Sequence, residues 1–454
     1  MAWQTVTRTE SPAAASAQRR RRLPVSVGAA SLRRDGWRIL PDGLQLHPLT
    51  ISALIVLAVV LYYVRAWGDV LGYLNALGGP EPVSDYTAFY YPAGREVLER
   101  WRPAEGYLYS MFSAFCLAPV SYFSLYTAIW IWSVVQVVFL GLLLALPARE
   151  FLRANRRAFY LYLLIFLCSY PALDCLKWGQ ASTMLLACIL GCFYLYRSGY
   201  IRLAAAVLAF AVSIKFYPVL FLAYFLIRRD YRFVVICFMF TALFAVAIPI
   251  WLSSTGAWIG YHHDVYGYLN TMRYNFRNMA NAHYVPYRVF HLYGGTIHDM
   301  SQVEFLRRLS LGVAAINLLI INRLCRLPAQ QGMPWAFVLL FCSMPFVIES
   351  CWPHYLAYLP FCQTFLALSF GDGRPSAGDL AKGLLLLAPS ILLSSLFMLN
   401  WLGDWQPVAR YCLLLVANAQ VMILTWLQMP SIRGTHLAPA PGRNEPAAAI
   451  AAHA

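Results

Sequence analysis

LAAAVLAFAVSIKFYPVLFLAYFLI, residues 203–227, is long and apolar enough to cross a bilayer once, yet Lys215 stands near its middle and Pro218 follows three residues later. A charge at the centre of a single span costs on the order of 3 kcal/mol on insertion scales. Proline removes a backbone donor and breaks a continuous helix. The stretch therefore reads as two half-helices, with Lys215 at a turn near the outer membrane face and Pro218 opening the second half. Arg202 precedes it and Arg228, Arg229 and Arg232 follow it, which returns the chain to the cytoplasm.

The same reading extends over the chain. Of 454 residues, 60% are hydrophobic and 12% charged, and the mean hydropathy is +0.57. A soluble domain carries about 25% charged residues, so this is a polytopic all-α membrane protein without a large soluble domain. Judged against the ~20 residues a bilayer needs, about twelve spanning or half-spanning segments are expected. The first runs from Leu49 to Trp67, the second from Ser124 to Leu146, the third from Phe159 to Leu173 and the fourth from Ser182 to Tyr196. After the split pair come Phe233 to Leu252, Leu309 to Leu324, Trp335 to Ile348, Tyr355 to Phe370, Leu384 to Trp401 and Val408 to Leu427. A polar, aromatic outer loop is expected from Ser253 to Glu304.

The net charge of +15 follows from the arginine clusters of alternate loops and does not call for nucleic acid. Both termini are expected in the cytoplasm, in a multi-pass protein of the cell inner (plasma) membrane. Residues 1–47 read as a disordered basic tail, 48–430 as one transmembrane domain, and 431–454 as a second disordered tail. The first apolar run starts too late for a cleaved signal peptide. The 11 cysteines include no C-x-x-C pair, so neither a structural zinc site nor a dithiol motif is expected. Most lie in apolar runs, where cysteine acts as a small hydrophobe. Cys116 and Cys351 lie on the outer side, where a disulfide is conceivable.

Against the charge bias, the outer side holds Lys177, Lys215, Arg273, Arg277, Arg288 and His354. An anionic ligand at the outer surface accounts for them. The outer stretch Val83-Ser84-Asp85-Tyr86-Thr87-Ala88-Phe89-Tyr90-Tyr91 adds a lone acid among aromatics. Asp85 is open to two readings, a helix N-cap and a general base. Lys177-Trp178-Gly179-Gln180 forms an outer turn, read either as a loop with a snorkelling lysine or as half of a phosphate clamp with Lys215. Arg288, in Asn281-Ala282-His283-Tyr284-Val285-Pro286-Tyr287-Arg288, is either an interfacial anchor or a ligand of the same anion. His354, in Trp352-Pro353-His354-Tyr355, is either a structural hydrogen-bonder or part of a sugar or phosphate site.

The ordered set resembles glycosyltransferase family 87, the polyprenol-phosphate-dependent GT-C membrane enzymes that include mannosyltransferases. It comprises an outer acid followed by tyrosine, a Gly-Gln turn, K-x-x-P in a split helix pair, an Asn…Arg loop and a late outer histidine, over Asp85 to His354. The resemblance implies a GT-C-type fold with extracytoplasmic loop helices and transfer of a sugar, mannose or another hexose, to a lipid or glycan acceptor. Asp85 would be the catalytic base. Lys177, Lys215, Arg288 and His354 would bind the donor phosphate, and Tyr86, Gln180, Asn281, His283 and Trp352 the substrates. The donor sugar is already activated as a phosphate ester, so neither a metal nor a cofactor is implied. The partners are membrane lipids, the polyprenyl-phosphate sugar and the acceptor, with no nucleic acid. One acid with basic phosphate ligands suits inversion. Asp174 and Glu349 stand as secondary acids, or as plain partners of an outer Lys or Arg. The chain departs from the family pattern at Ser182, at Tyr109-Ser110-Met111, and at Ala282-His283. A transporter or flippase of a lipid-linked sugar and a non-catalytic lipid-binding assembly protein are the rival classes, although the apolar spans hold few of the acids that ion coupling uses.

Overall fold

A computed structural model describes residues 83, 85–103, 106–154, 156–272, 282, 300–348, 351–370, 377–396 and 406–429. All of them belong to the compact unit Ile55–Ala454. The expected first span, both tails, Asn281, His283, Arg288 and Glu349 lie outside the described residues.

The described chain is helical, and its one β-type feature is an isolated bridge between Ser169 and Ser395. A π-helical turn, Tyr86–Tyr90, leads into α1 (Tyr91–Arg100) and then α2 (Met111–Ser121). These pack together at Gly94, where an added Cβ would meet the Ser121 side chain and the Leu117 backbone. The long α3 (Leu125–Ala154) follows, then α4 (Arg156–Leu167) and α5 (Tyr170–Trp178). The expected third span breaks between these two. Pro171 sits in the first turn of α5 and the cap residue Ser169 is extended (ψ 119°); a proline at this position cannot continue α4, because its ring would clash with the carbonyl of Leu167 four residues back. Leu396 N donates to Cys168 O and Tyr170 N to Ser394 O, which satisfies the opened backbone.

α6 (Ser182–Arg197) and α7 (Ile201–Ile214) form a tight hairpin. The chain then splits as the sequence indicates. Lys215 is extended (φ −134°, ψ 139°), Pro218 opens a 3-10 turn, Tyr217–Phe221, and α8 (Leu222–Ile227) completes the pair. α9 (Tyr231–Ala242) runs through a π turn into α10 (Ile248–Leu252). The expected outer loop from Ser253 instead begins with a helix, α11 (Thr255–Met272). Ser254 caps it, its Oγ accepting from Ala257 N at 3.1 Å. α12 (Met300–Leu324) and α13 (Ala329–Val347) come next. A 3-10 turn, Pro353–Tyr358, then leads into α14 (Leu359–Ser369), α15 (Ala377–Leu393) and α16 (Gln406–Gln428).

Among the described residues two helical runs are long and apolar enough to cross a bilayer, Leu125–Ala148 and Tyr231–Leu252, corresponding to the expected second and seventh spans. Only 22% and 17% of their apolar windows are buried. The core helix of a soluble protein would be mostly buried, whereas these two runs leave most of their apolar surface exposed. Phe238 and Trp251 on the second run are among the exposed large apolar side chains. Inside the bundle, polar side chains bond between helices. Asn317 donates to Ser343 at 2.8 Å, Tyr358 to Asn418 at 2.8 Å, and Gln363 to Ser390 at 2.8 Å. This is the usual way helices are joined where the surroundings are apolar.

Two buried clusters result. The larger runs through α3–α9 and α12–α16. The smaller gathers Tyr86, Tyr90, Tyr107, Trp132 and Ala181 around α1 and α2. The Gly179-Gln180 turn stands where the two meet.

Candidate functional site

Gly179 ends α5 in the left-handed region (φ 65°). Gln180 N donates back to Cys175 O and Gly179 N to Leu176 O, a C-terminal motif that favours glycine. Glycine is needed for space as well. A Cβ there would run into the Val83 side chain and stand 2.9 Å from Tyr86 Cβ. Trp132 Nε1 donates to Gly179 O at 2.7 Å and its indole stacks on Tyr86, with centroids 5.3 Å apart. The Val83–Tyr86 segment is thereby pressed against the Gly-Gln turn. Val83 itself holds a positive φ of 58°, which is rare for a β-branched residue.

Asp85 heads the π turn with helical angles (φ −73°, ψ −31°) and makes no capping hydrogen bond. The N-cap reading of Asp85 is thus overturned. A capping side chain folds back from a non-helical residue, whereas here Val83 O takes the amides of Tyr86 and Thr87. The carboxylate turns to Gln180 instead, whose Nε2 donates to Asp85 Oδ2. Gln180 Oε1 accepts two further bonds, from Tyr90 OH at 2.9 Å and Lys215 Nζ at 2.8 Å. With its oxygen facing two donors, the amide has one orientation, its NH2 toward the acid. Gln180 is 2% exposed and Lys215 5%. A buried amide thus links an acid and a cation 130 residues apart in the chain.

The π turn explains how Asp85 and Tyr90 both reach that amide. In such a turn Tyr91 N bonds Tyr86 O, five residues back, so residues five apart come onto one face. In an ordinary helix they would diverge.

Lys215 is held among aromatics, its Nζ 4.3 Å from the Tyr109 ring centroid and 5.1 Å from that of Tyr355. Tyr109 is steadied from α11, where Tyr261 OH bonds both Tyr107 O and Tyr109 O at 2.7 Å. Ser110 caps α2 and its Oγ donates to Ser213 O at the end of α7. The departure at Tyr109-Ser110-Met111 therefore ties the start of α2 to the Lys215 turn.

His354 and Asp174 lie beside this group, 3% and 2% exposed. Asp174 Oδ1 accepts from Tyr170 OH at 2.7 Å and Trp178 Nε1 at 3.0 Å. Its Oδ2 is 3.5 Å from His354 Nδ1. Neither ring nitrogen of His354 makes a hydrogen bond among the described residues.

Burial pushes the Asp85 carboxyl above its ordinary 3.8, while the Gln180 bond and the nearby His354 and Lys215 pull it back. Burial pushes His354 below its ordinary 6.5; Asp174 and Asp85 oppose this and Lys215 adds to it.

Of the residues selected from sequence, Asp85, Gln180, Lys215 and His354 come together. Trp352 lies near His354, the rings almost parallel with centroids 6.3 Å apart. Tyr86 is buried in the aromatic cluster, and its hydroxyl makes no hydrogen bond among the described residues. Lys177 is exposed in the last turn of α5, 5.6 Å from the Trp178 ring, so the two-lysine clamp is not what folds. A cation at a helix C-terminus can face solvent and complement the dipole, whereas Lys215 is enclosed. Asp174 faces His354 rather than the Lys or Arg expected for it. Cys116 is exposed, Cys351 is buried, and no disulfide joins them. Tyr90 and Tyr109 were not selected from sequence. Their signal was the aromatic density of residues 86–109, which does not say which ring faces inward. Among the described residues no group of three or more His, Cys, Asp or Glu side chains could hold a metal ion.

The sequence profile of Glycosyltransferase family 87 matches residues 107–350, more than half of the chain. No curated protein and no solved structure matches it.

Proposed function

The chain belongs to glycosyltransferase family 87 and is a membrane glycosyltransferase, and from that premise we propose that it moves a sugar from a polyprenyl-phosphate donor to a lipid or glycan acceptor. The sugar is mannose or another hexose. The reaction takes place at the extracytoplasmic face of the cell inner (plasma) membrane, in a protein of about twelve spanning or half-spanning segments with both termini cytoplasmic. One observation carries this reading. A part-buried carboxylate, Asp85, and a buried ammonium, Lys215, are held apart by one amide, Gln180.

That arrangement suits a single displacement. The acceptor oxygen bonds to the anomeric carbon as the bond from that carbon to the phosphate oxygen breaks. Asp85 takes the acceptor proton, and the departing phosphate keeps the electron pair. The charge that grows on the phosphate is stabilised by Lys215 and His354, preorganised in a site shielded from water. Arg288 is assigned to the same phosphate from its place in the sequence pattern, and Asn281 and His283 to the substrates. Gln180 keeps Asp85 from collapsing onto Lys215, so the acid stays free for the acceptor. A pKa raised from its ordinary 3.8 improves a base that works near neutral pH.

The test uses purified protein with a synthetic polyprenyl-phosphate sugar or a soluble nucleotide sugar. Transfer from the lipid donor alone is expected. Turnover with the nucleotide sugar and no lipid donor would overturn the proposal. Lipid and cell-surface glycan mass spectrometry of a deletion strain then identifies the missing product.

A further inference from the structure

A buried imidazole with no hydrogen bond is costly unless something completes it. His354 is such a group, with both ring nitrogens unbonded among the described residues and the side chain 3% exposed. The carboxylate behind it is fully engaged on one side. Tyr170 and Trp178, one helical turn before and after Asp174, both donate to Oδ1. That fixes the carboxylate plane and leaves Oδ2 facing His354 Nδ1 at 3.5 Å. The turn that carries His354 is pinned to the same helix, Cys175 Sγ donating to His354 O at 3.3 Å. The ring also sits edge-on to Tyr355, centroids 5.0 Å apart, whose own ring flanks Lys215.

We infer that Asp174 is a positioning residue for the donor phosphate: it holds His354 through Nδ1, leaves Nε2 for the phosphate, and lets the imidazole take up a proton as the phosphate binds. This rests on the donor proposed above. With Nδ1–H toward Asp174, a neutral ring offers the phosphate only the Nε2 lone pair, which repels an anion. A protonated ring donates from both nitrogens at once. The charged groups acting on the ring are Asp174 from α5, Lys215 from the turn after α7, and Asp85 from the π turn. Burial and then Lys215 push the histidine toward its neutral form. An incoming phosphate adds the negative charge that, with Asp174, tips it to the cation. Binding then draws one proton from solution in the window between the depressed free-site pKa and the raised bound-site pKa. Affinity therefore falls as pH rises through that window.

The probe is a farnesyl methyl phosphodiester, which has no transferable sugar and whose single charge is constant near neutral pH. Binding is measured by calorimetry as a function of pH, in buffers of different ionisation enthalpy. The full-length wild-type chain is expected to take up close to one proton, with affinity falling up to about tenfold per pH unit, the slope of one linked proton. Asp174→Asn and His354→Gln flatten the slope. A residue that merely packs would change affinity at every pH alike and leave the slope. Wild-type binding with a flat pH dependence, or Asp174→Asn with the wild-type slope, overturns this inference alone. A wild-type chain that binds no probe at any pH overturns the donor reading together with it. Should Asp174→Asn not fold, Tyr170→Phe, which frees one hydrogen bond to Oδ1, is expected to reduce the slope, and an unchanged slope there also refutes the inference.

Discussion

Replacing Gly179 by alanine tests how the site is assembled. The residue has φ 65°, and a left-handed alanine costs about 1–2 kcal/mol. Its Cβ would collide with Val83 Cγ1 and stand 2.9 Å from Tyr86 Cβ and 3.4 Å from Val83 Cβ. None of these atoms is the end of a flexible side chain. Valine is stiff at χ1, and Tyr86 Cβ sits next to a backbone whose ring is stacked on Trp132. Overpacking of this kind adds about 1–3 kcal/mol, so the total is about 2–5 kcal/mol. The only relief is to push the Val83–Tyr86 segment away, which draws Asp85 off Gln180. A displacement of about 1 Å at a reacting group lowers turnover about 100-fold. The measurements are the thermal midpoint in detergent and transfer from a synthetic lipid donor. Gly179→Asn separates the two terms, because asparagine tolerates the left-handed region but still collides. A Gly179→Ala protein with wild-type midpoint and turnover would refute the close approach of the two segments and the assembly built on it.

Asp85→Asn should lower the transfer rate about 10²–10⁴-fold, as loss of a general base does, with donor affinity nearly unchanged; near wild-type turnover would remove Asp85 from the mechanism. The same variant should have an equal or higher thermal midpoint at neutral pH. Because the folded pKa of Asp85 is raised, its stabilising contribution is complete below pH 3.8 and is lost as pH rises through the folded value. Asparagine carries no such charge, and a lower midpoint would contradict this sign. Transfer by the wild type should rise with pH along an acidic limb that lies above pH 3.8, the ordinary value for an aspartate. A limb at or below that pH would exclude Asp85 as its source. Lys215→Ala should weaken donor binding by the about 1.5–3 kcal/mol of a charge-assisted hydrogen bond, whereas Lys177→Ala, outward on α5, should change it little; titration with lipid donor compares them, and equal losses would restore the two-lysine clamp.

The sequence by itself determined the class of the protein and some of the places where its helices break. A low charge fraction and repeated arginine clusters announce a membrane protein, because lipid excludes charge over lengths that a short window can read. Lys215 and Pro218 marked the split pair, and Gly179 the turn, because those effects act within a few residues of backbone. The same local rules hid the break at Ser169 only until Pro171 is given its weight. They passed over α11 because its residues are polar and aromatic with no apolar run to flag it. The candidate site followed another logic. Asp85, Gln180, Lys215 and His354 could each be singled out, but nothing local said that one amide would bind the first and third. Nor did it say that Lys177 would face outward while Lys215 was enclosed, or that the acid behind His354 would be Asp174. Those outcomes depend on a π turn that shifts the helical register by one residue, and on packing between segments some 180 residues apart. Such contacts form when buried polar groups must find partners in an assembled bundle, and no period in the sequence encodes which partner that will be.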